Sequence, residues 1–277
     1  MKMRGLIILV LCWLAPAVLL GLREPRATDH EKHRLYVAVP GIRNYVEYGG
    51  VGILVYDIDA GYKIIRRIPT WDADPSQQPE NVKGIAASAK TGKLYVSTTK
   101  RLACFDLATE DKVWEKTYDG GSDRMAISPD GKILYVPSFE GPHWNVVDAL
   151  TGRVIAKIET KSGAHNTIYG RDGSRVYLAG LHSPVLSVAD TKTHTVVNKI
   201  GPFSQSIRPF TINGNQTRCF VNVNDLLGFE VGDIATGKML HRVEVAGAVA
   251  PRHRELSAAG GVSARRQCPR RSGLRAG

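Results

Sequence analysis

Apolar and polar residues alternate in short runs along this chain, and five of those runs close on an aspartate. They are VYDIDAG (55–61), FDLATE (105–110), VVDALTG (146–152), VADTKTH (188–194) and VGDIATG (231–237). The aspartates, Asp57, Asp106, Asp148, Asp190 and Asp233, follow one another at 49, 42, 42 and 43 residues. Ahead of the last four stands a strand, a tight turn and a second strand: IAASAKTGKLYV (85–96), MAISPDGKILYV (125–136), TIYGRDGSRVYL (167–178) and FTINGNQTRCFV (210–221). The turns use Gly, Asp and Asn, which tolerate left-handed backbone and close hairpins at little cost. Behind each aspartate comes KIIRRI, KVWEKT, RVIAKI, TVVNKI or KMLHRVEV, whose alternation predicts a half-buried outer strand.

Four short strands recurring every ~40–45 residues predict the blades of a β-propeller. The expected fold class is all-β, with blades of four antiparallel strands. The first unit opens at RLYV (34–37) without an inner strand before it, and four full blades follow to Val245. About five blades are therefore expected, as part of a seven-bladed ring. The predicted organisation is a leader over 1–27, propeller repeats over 28–248 and a non-repeat tail over 249–277.

The net charge of +11 suggests nucleic acid until it is located. Residues 1–26 hold +3 and residues 251–277 hold +6, so the 224 residues between them carry only +2. A nearly neutral folded part argues against a polyanion-binding surface, and no nucleic-acid partner is expected. Lys2 and Arg4 precede an uncharged run from Gly5 to Leu22, which predicts export to the periplasm or beyond. The run reads as a cleaved signal, or else as an anchor that is the chain's one membrane contact. The tail has 20 Arg, Ala, Gly, Pro or Ser in 27 positions and no period-2 pattern. It reads as out-of-frame or prematurely stopped sequence, or as a basic segment for an anionic partner. Propeller-like sequence in another frame of the coding DNA would decide for the first. Cys104 and Cys219 fall inside strand patterns and read as small buried hydrophobes.

The order strand, PDG, LYV, VxD, TG, strand, as in SPDGKILYV followed by VVDALTGRVIAKI, resembles the YVTN-repeat β-propeller family over roughly residues 33–248. The resemblance is specific for fold. For function it implies a range that takes in binding and surface proteins, lactonases and quinoprotein dehydrogenases.

Chain alternation puts two sets of loops on one face of such a fold. The loops entering the inner strands align as Lys83, Asp123, His165 and Arg208, followed by Gly84, Arg124, Asn166 and Pro209. In YVTN-like repeats this position often reads His-Pro at the mouth of the central channel, which IRP (207–209) and AHN (164–166) partly resemble. A ring of such groups either binds an anionic or polar ligand or pairs within itself and with channel water. The second set of loops adds PGIRNYVEYGGVG (40–52) with Glu47, SFEGPHWN (138–145) with His143 and Trp144, and GLHSP (180–184) with His182. A further insert, TWDADPSQQPENVK (70–83), brings Trp71. Aromatic and charged residues on one face of a rigid scaffold predict a recognition surface.

Nucleophile elbow, HExxH and Walker motifs are absent from the sequence, and no cofactor is expected. The reading is an exported scaffold that binds a protein, a glycan or a small ligand through its loop face and channel mouth, without catalysis. The alternative is a lactonase-like hydrolase, with His143, His165, His182 and Glu47 as candidates to hold a metal or activate water and Arg208 for the oxyanion.

Overall fold

The computed structural model describes residues 31–39, 52–71 and 82–245. The expected leader and tail, the loop with Glu47 and the insert after Trp71 lie outside the described residues. Nineteen strands and no helix are found among the described residues. Blade I holds β1 (Arg34–Val39), β2 (Gly52–Asp57) and β3 (Lys63–Ile68). Blade II holds β4 (Val82–Ser88), β5 (Lys93–Thr98), β6 (Arg101–Asp106) and β7 (Lys112–Thr117). Blade III holds β8 (Ala126–Ile127), β9 (Ile133–Pro137), β10 (His143–Asp148) and β11 (Val154–Glu159). Blade IV holds β12 (Ala164–Tyr169), β13 (Arg175–Gly180), β14 (Leu186–Asp190) and β15 (Thr195–Ile200). Blade V holds β16 (Ile207–Ile212), β17 (Arg218–Val223), β18 (Gly228–Asp233) and β19 (Met239–Glu244). Each sheet is antiparallel in chain order; blade I has three strands and the others four. Inner strands of successive blades neighbour one another, so the chain is a β-propeller with the inner strand of its first blade missing among the described residues.

The repeating aspartate explains why each unit folds alike. Its Oδ1 accepts backbone N–H bonds from the turn that follows: Ala60 to Asp57 at 3.2 Å, Thr109 to Asp106 at 3.0 Å, Thr151 to Asp148 at 2.8 Å, Thr193 to Asp190 at 2.9 Å and Thr236 to Asp233 at 2.8 Å. In three blades its other oxygen pairs with the cation opposite it in the register, Arg34, Lys93 or Arg218. The fourth residue after the aspartate has left-handed backbone. It is Gly61, Gly152 or Gly237 in three blades, and Glu110 or His194 in the other two. Those two side chains bridge blades: Glu110 binds Arg66 of blade I, and His194 Nδ1 lies 2.8 Å from the Tyr135 hydroxyl of blade III. A cross-blade bond thus stands where glycine would relieve backbone strain.

Among the described residues the apolar core is divided rather than central. Four apolar layers lie between consecutive blades, each made by one face of a blade against the facing side of the next. The rule is regular. Tyr95, Tyr135 and Tyr177 face the following blade, where they meet Leu134 and Val136, Val176 and Leu178, and Cys219 and Val221 respectively. Cys104 and Cys219 are free, fully buried thiols within these layers, as expected, and burial pushes both up to about 11.

Candidate functional site

Inner strands run from the loop face inward, and the ladder slips where they begin. The register shifts between Val82 and Gly84, between Ala164 and Asn166, and between Ile207 and Phe210. Each shift falls on the column Lys83, His165, Arg208. A bulge leaves one residue unpaired, so one local irregularity recurs at the same position of three blades, and at Lys83 and His165 it re-aims the side chain. In blade III the inner strand shrinks to two residues, and Asp123 and Arg124 precede it. Arg124 instead forms a parallel bridge with Asn166 of blade IV. The close approach of blade II needs Gly84, since a Cβ there would sit 3.0 Å from the Arg124 Cα and 3.3 Å from the Asp123 carbonyl.

Asp123 is fully buried. Its carbonyl accepts the Ser97 hydroxyl at 2.7 Å, and the neighbouring Ser122 hydroxyl donates to the Thr98 carbonyl at 2.7 Å. The carboxylate is therefore aimed by a pinned backbone. Its Oδ1 accepts the Arg124 N–H at 2.9 Å, and its Oδ2 meets His165 Nδ1 at 2.6 Å. His165 is 8 % exposed. Its other nitrogen, Nε2, faces Arg124 Nη1. A guanidinium only donates, so Nε2 accepts and the ring proton sits on Nδ1, shared with Asp123. Arg124 itself is exposed. Among the described residues its two side-chain bonds, to His165 Nε2 and to Asn166 Oδ1 at 3.4 Å, run through Nη1 and end on neutral atoms.

The remaining candidates divide. Lys83 lies with its ammonium 4.6 Å from the centre of the exposed Phe139 ring, a cation–π contact between blade II and the β9–β10 loop. Asn166 joins the cluster through Arg124. The Arg208 side chain and Glu47 lie outside the described residues. His182 is exposed on the β13–β14 loop, and its ring covers Gly163, where a Cβ would lie 2.6 Å from Nδ1.

Two residues expected on the loop face lie inside instead. Trp144 is fully buried between blades III and IV, and its Nε1–H donates to the Thr167 hydroxyl at 2.9 Å. His143 is 6 % exposed, its Nε2 has no hydrogen-bond partner among the described residues, and burial lowers its pKa. The reason is that β10 begins at His143, three residues earlier than a loop over 138–145 allows, so strand alternation turns both side chains into blade layers. His143, His165 and His182 do not converge. No group of three or more His, Cys, Asp or Glu suited to a metal ion occurs among the described residues.

Sequence reasoning missed Glu230, which is fully buried and accepts the Ser204 N–H at 2.9 Å. The signal was present: in FEVGD the acidic residue sits at an inward position of the strand alternation. It also read Trp71 as part of the recognition surface without the partners that blade II gives it. Its Nε1–H donates to Glu115 at 3.0 Å, and Arg101 lies 5.5 Å from its ring centre. Burial would raise the Glu115 carboxyl, but bonds from Lys112, Arg101 and Trp71 outweigh it and hold the group at about 2.

No family model and no curated protein matches the chain. Solved structures do share its fold. One is hydrazine synthase of Kuenenia stuttgartiensis, similar at a TM-score of 0.54 and 19% identity over 63% of this chain and 53% of that one. The matched part is thus about half of that neighbour's length, and at this identity the likeness is one of fold alone.

Proposed function

We propose that this chain is an exported β-propeller of YVTN-repeat type that binds an anionic small ligand at its channel mouth. The observation that carries the reading is the state of Arg124. Its guanidinium is exposed, meets among the described residues the neutral acceptors His165 Nε2 and Asn166 Oδ1, and reaches both through Nη1. The fork of Nε and Nη2 is left for a carboxylate or phosphate, which such an edge takes in bidentate fashion. Lys83 adds a second cation to the same mouth, and the buried Asp123 is screened from a ligand by His165. The test is calorimetric titration at low salt with a dicarboxylate, a sugar phosphate and a neutral oligosaccharide. Anion binding lost in Arg124→Gln and weakened by salt supports the reading. Binding of the neutral sugar that ignores Arg124→Gln would return the function to the loop surface.

A hydrolytic reading is favoured by one observation, the Asp123–His165 pair. A carboxylate on Nδ1 leaves the lone pair of Nε2 toward the mouth, which is the arrangement of a general base. A ligand that drew Arg124 away would free Nε2 to take a proton from water, with the guanidinium beside the developing oxyanion. Lactone hydrolysis abolished by His165→Gln would establish it; no turnover across a lactone panel would remove it.

A further inference from the structure

On the face opposite the channel mouth, a cavity of about 360 Å³ opens between blades IV and V. Two hairpin turns wall it, residues 170–174 of blade IV and 213–217 of blade V, with Ile234 on its apolar side. Arg175 lines it as well. In the register Arg175 stands opposite Asp190, as Arg34, Lys93 and Arg218 stand opposite Asp57, Asp106 and Asp233. Those three cations pair with their aspartates. Arg175 does not, and Asp190 rests on the turn N–H groups of Lys192 and Thr193, each at 2.9 Å. Burial pushes the Tyr177 hydroxyl at the cavity's edge up to about 12, and there the charges of Arg175 and Asp172 act on it in opposite senses. Across from Arg175, Gln216 has left-handed backbone, φ +53°, where the turns of blades III and IV have Gly131 and Gly173. Its Oε1 accepts the Tyr177 hydroxyl at 3.2 Å. Its amide, with the Ser174 N–H and hydroxyl, holds the Asp172 carboxyl below the usual range. Three groups keep bonding capacity here. The Arg175 guanidinium and the Asn215 amide have no hydrogen-bond partner among the described residues, and the Thr217 hydroxyl accepts from Asn213 Nδ2 at 2.8 Å while its own proton is free to donate.

We propose that this cavity is a second binding site, independent of the channel mouth, for a uronic acid, whose carboxylate Arg175 takes and whose hydroxyls meet Asn215 and Thr217. A guanidinium edge matches a carboxylate in bidentate fashion. A sugar hydroxyl both donates and accepts, and an amide beside a hydroxyl answers both. Ile234 supplies an apolar side for the C–H face of the ring. The volume stands at the small end of ligand pockets, which run from about 300 to 1,000 Å³, and so suits a short saccharide. Asp172 sets the ligand's charge. Its ionised carboxylate offsets Arg175, so the cavity is close to neutral and favours a singly charged carboxylate over a more highly charged phosphate monoester. Gln216 keeps Asp172 and Tyr177 in place, which gives its left-handed backbone a role in shaping the site.

The test is ligand-observed NMR titration of the full chain with glucuronate, glucose and glucose 6-phosphate. It is run in the Arg124→Gln background, which removes the anion contact of the mouth and keeps the two sites apart. Glucuronate should bind this chain, and adding Arg175→Gln should weaken it at least about tenfold, as expected for a lost bond between charged groups. Glucose and glucose 6-phosphate should each bind at least about tenfold more weakly than glucuronate, by the same reasoning. Asn215→Ala stands in if circular dichroism shows that Arg175→Gln unfolds the chain. Glucuronate binding that Arg124→Gln alone abolishes would assign the ligand to the mouth and overturn this proposal while leaving that one standing. Binding that ignores Arg175→Gln also overturns it, as does glucose or glucose 6-phosphate binding as tightly as glucuronate.

Discussion

Asp123 and His165 stand 2.6 Å apart, Oδ2 to Nδ1, across the boundary between blades III and IV, and so the channel mouth is built by two repeats together. Neither repeat contains the pair. Period alignment puts the two residues in one column, and only blade-to-blade curvature brings neighbouring members of that column into hydrogen-bond range.

Replacing Asp123 by Asn tests what the pair holds in place. The amide is nearly isosteric but offers no charge to the imidazole N–H, and its N–H₂ favours the opposite tautomer. Nε2–H would then confront the Arg124 guanidinium, donor against donor. A hydrogen bond to a charged group contributes about 1.5–3 kcal/mol, so urea unfolding should show a loss in that range. Anion affinity should fall with it, as Arg124 loses its anchor.

Acid should loosen blades II to V through one repeated device. Asp106 is held down to about 2, first by Lys93 and then by the turn N–H groups. Asp148 is lowered first by the Thr151 hydroxyl, and Asp190 and Asp233 first by the turn N–H groups of Thr193 and Thr236. A carboxylate whose pKa is depressed on folding stabilises the folded state above its unfolded pKa, and that contribution fades as pH falls through the folded value. By this linkage the melting temperature should drop most steeply between about pH 4 and pH 2, after a smaller loss that begins below about pH 6.5, where the unfolded chain protonates His143 more readily than the buried ring does. A melting temperature flat down to pH 2 would show that the aspartate clips do not carry stability.

Gly152→Ala probes the turn that the aspartate closes. The residue has φ +72°, and a Cβ there would lie 2.8 Å from Lys116 Cγ and 3.0 Å from Trp114 Cε3. The substitution adds left-handed strain, of order 1–2 kcal/mol, to a clash with a ring wedged between blades II and III. A loss of at least about 1 kcal/mol is expected, read by denaturant midpoint at unchanged slope. Gly61→Ala is the control: it has the same turn geometry with nothing within 4 Å, so only the strain remains.

The blades were legible because each obeys a local rule. VxD followed by a turn fixes the third strand, LYV the second, and period-2 alternation the fourth, all within some twenty residues. The site was legible as a column but not as a geometry. Bulges at Lys83 and His165 shift the register by one, and no sequence pattern marks them, since they follow from the twist of the finished blade. Trp144 and His143 were misplaced for a related reason. The β9–β10 loop is shorter than its polar and Gly-Pro composition suggests, and a one-residue change of strand onset moves a side chain from the surface into a layer.

Trp144 offers the sharpest separation of scaffold from surface. Read as a loop residue it would be a recognition aromatic, and its removal would cost binding and leave stability nearly unchanged. In the structure it is fully buried, fills the layer between blades III and IV beside Tyr135 and Leu178, and spends its only polar atom on Thr167. Trp144→Phe keeps an aromatic ring but removes the N–H donor and part of the volume. Thr167 is 8 % exposed, so its hydroxyl would be left to find another partner in an apolar layer. The lost bond and the new void should together cost about 2–4 kcal/mol, from roughly 1–3 for an orphaned polar group and the remainder for the cavity. Affinity for an anion at Arg124 should be unchanged at temperatures where the variant stays folded, because the indole contacts neither Arg124 nor His165 through any hydrogen bond. Calorimetry of the folded variant, set beside its denaturant midpoint, separates the two accounts: a stable variant with weakened binding would put Trp144 back on the surface.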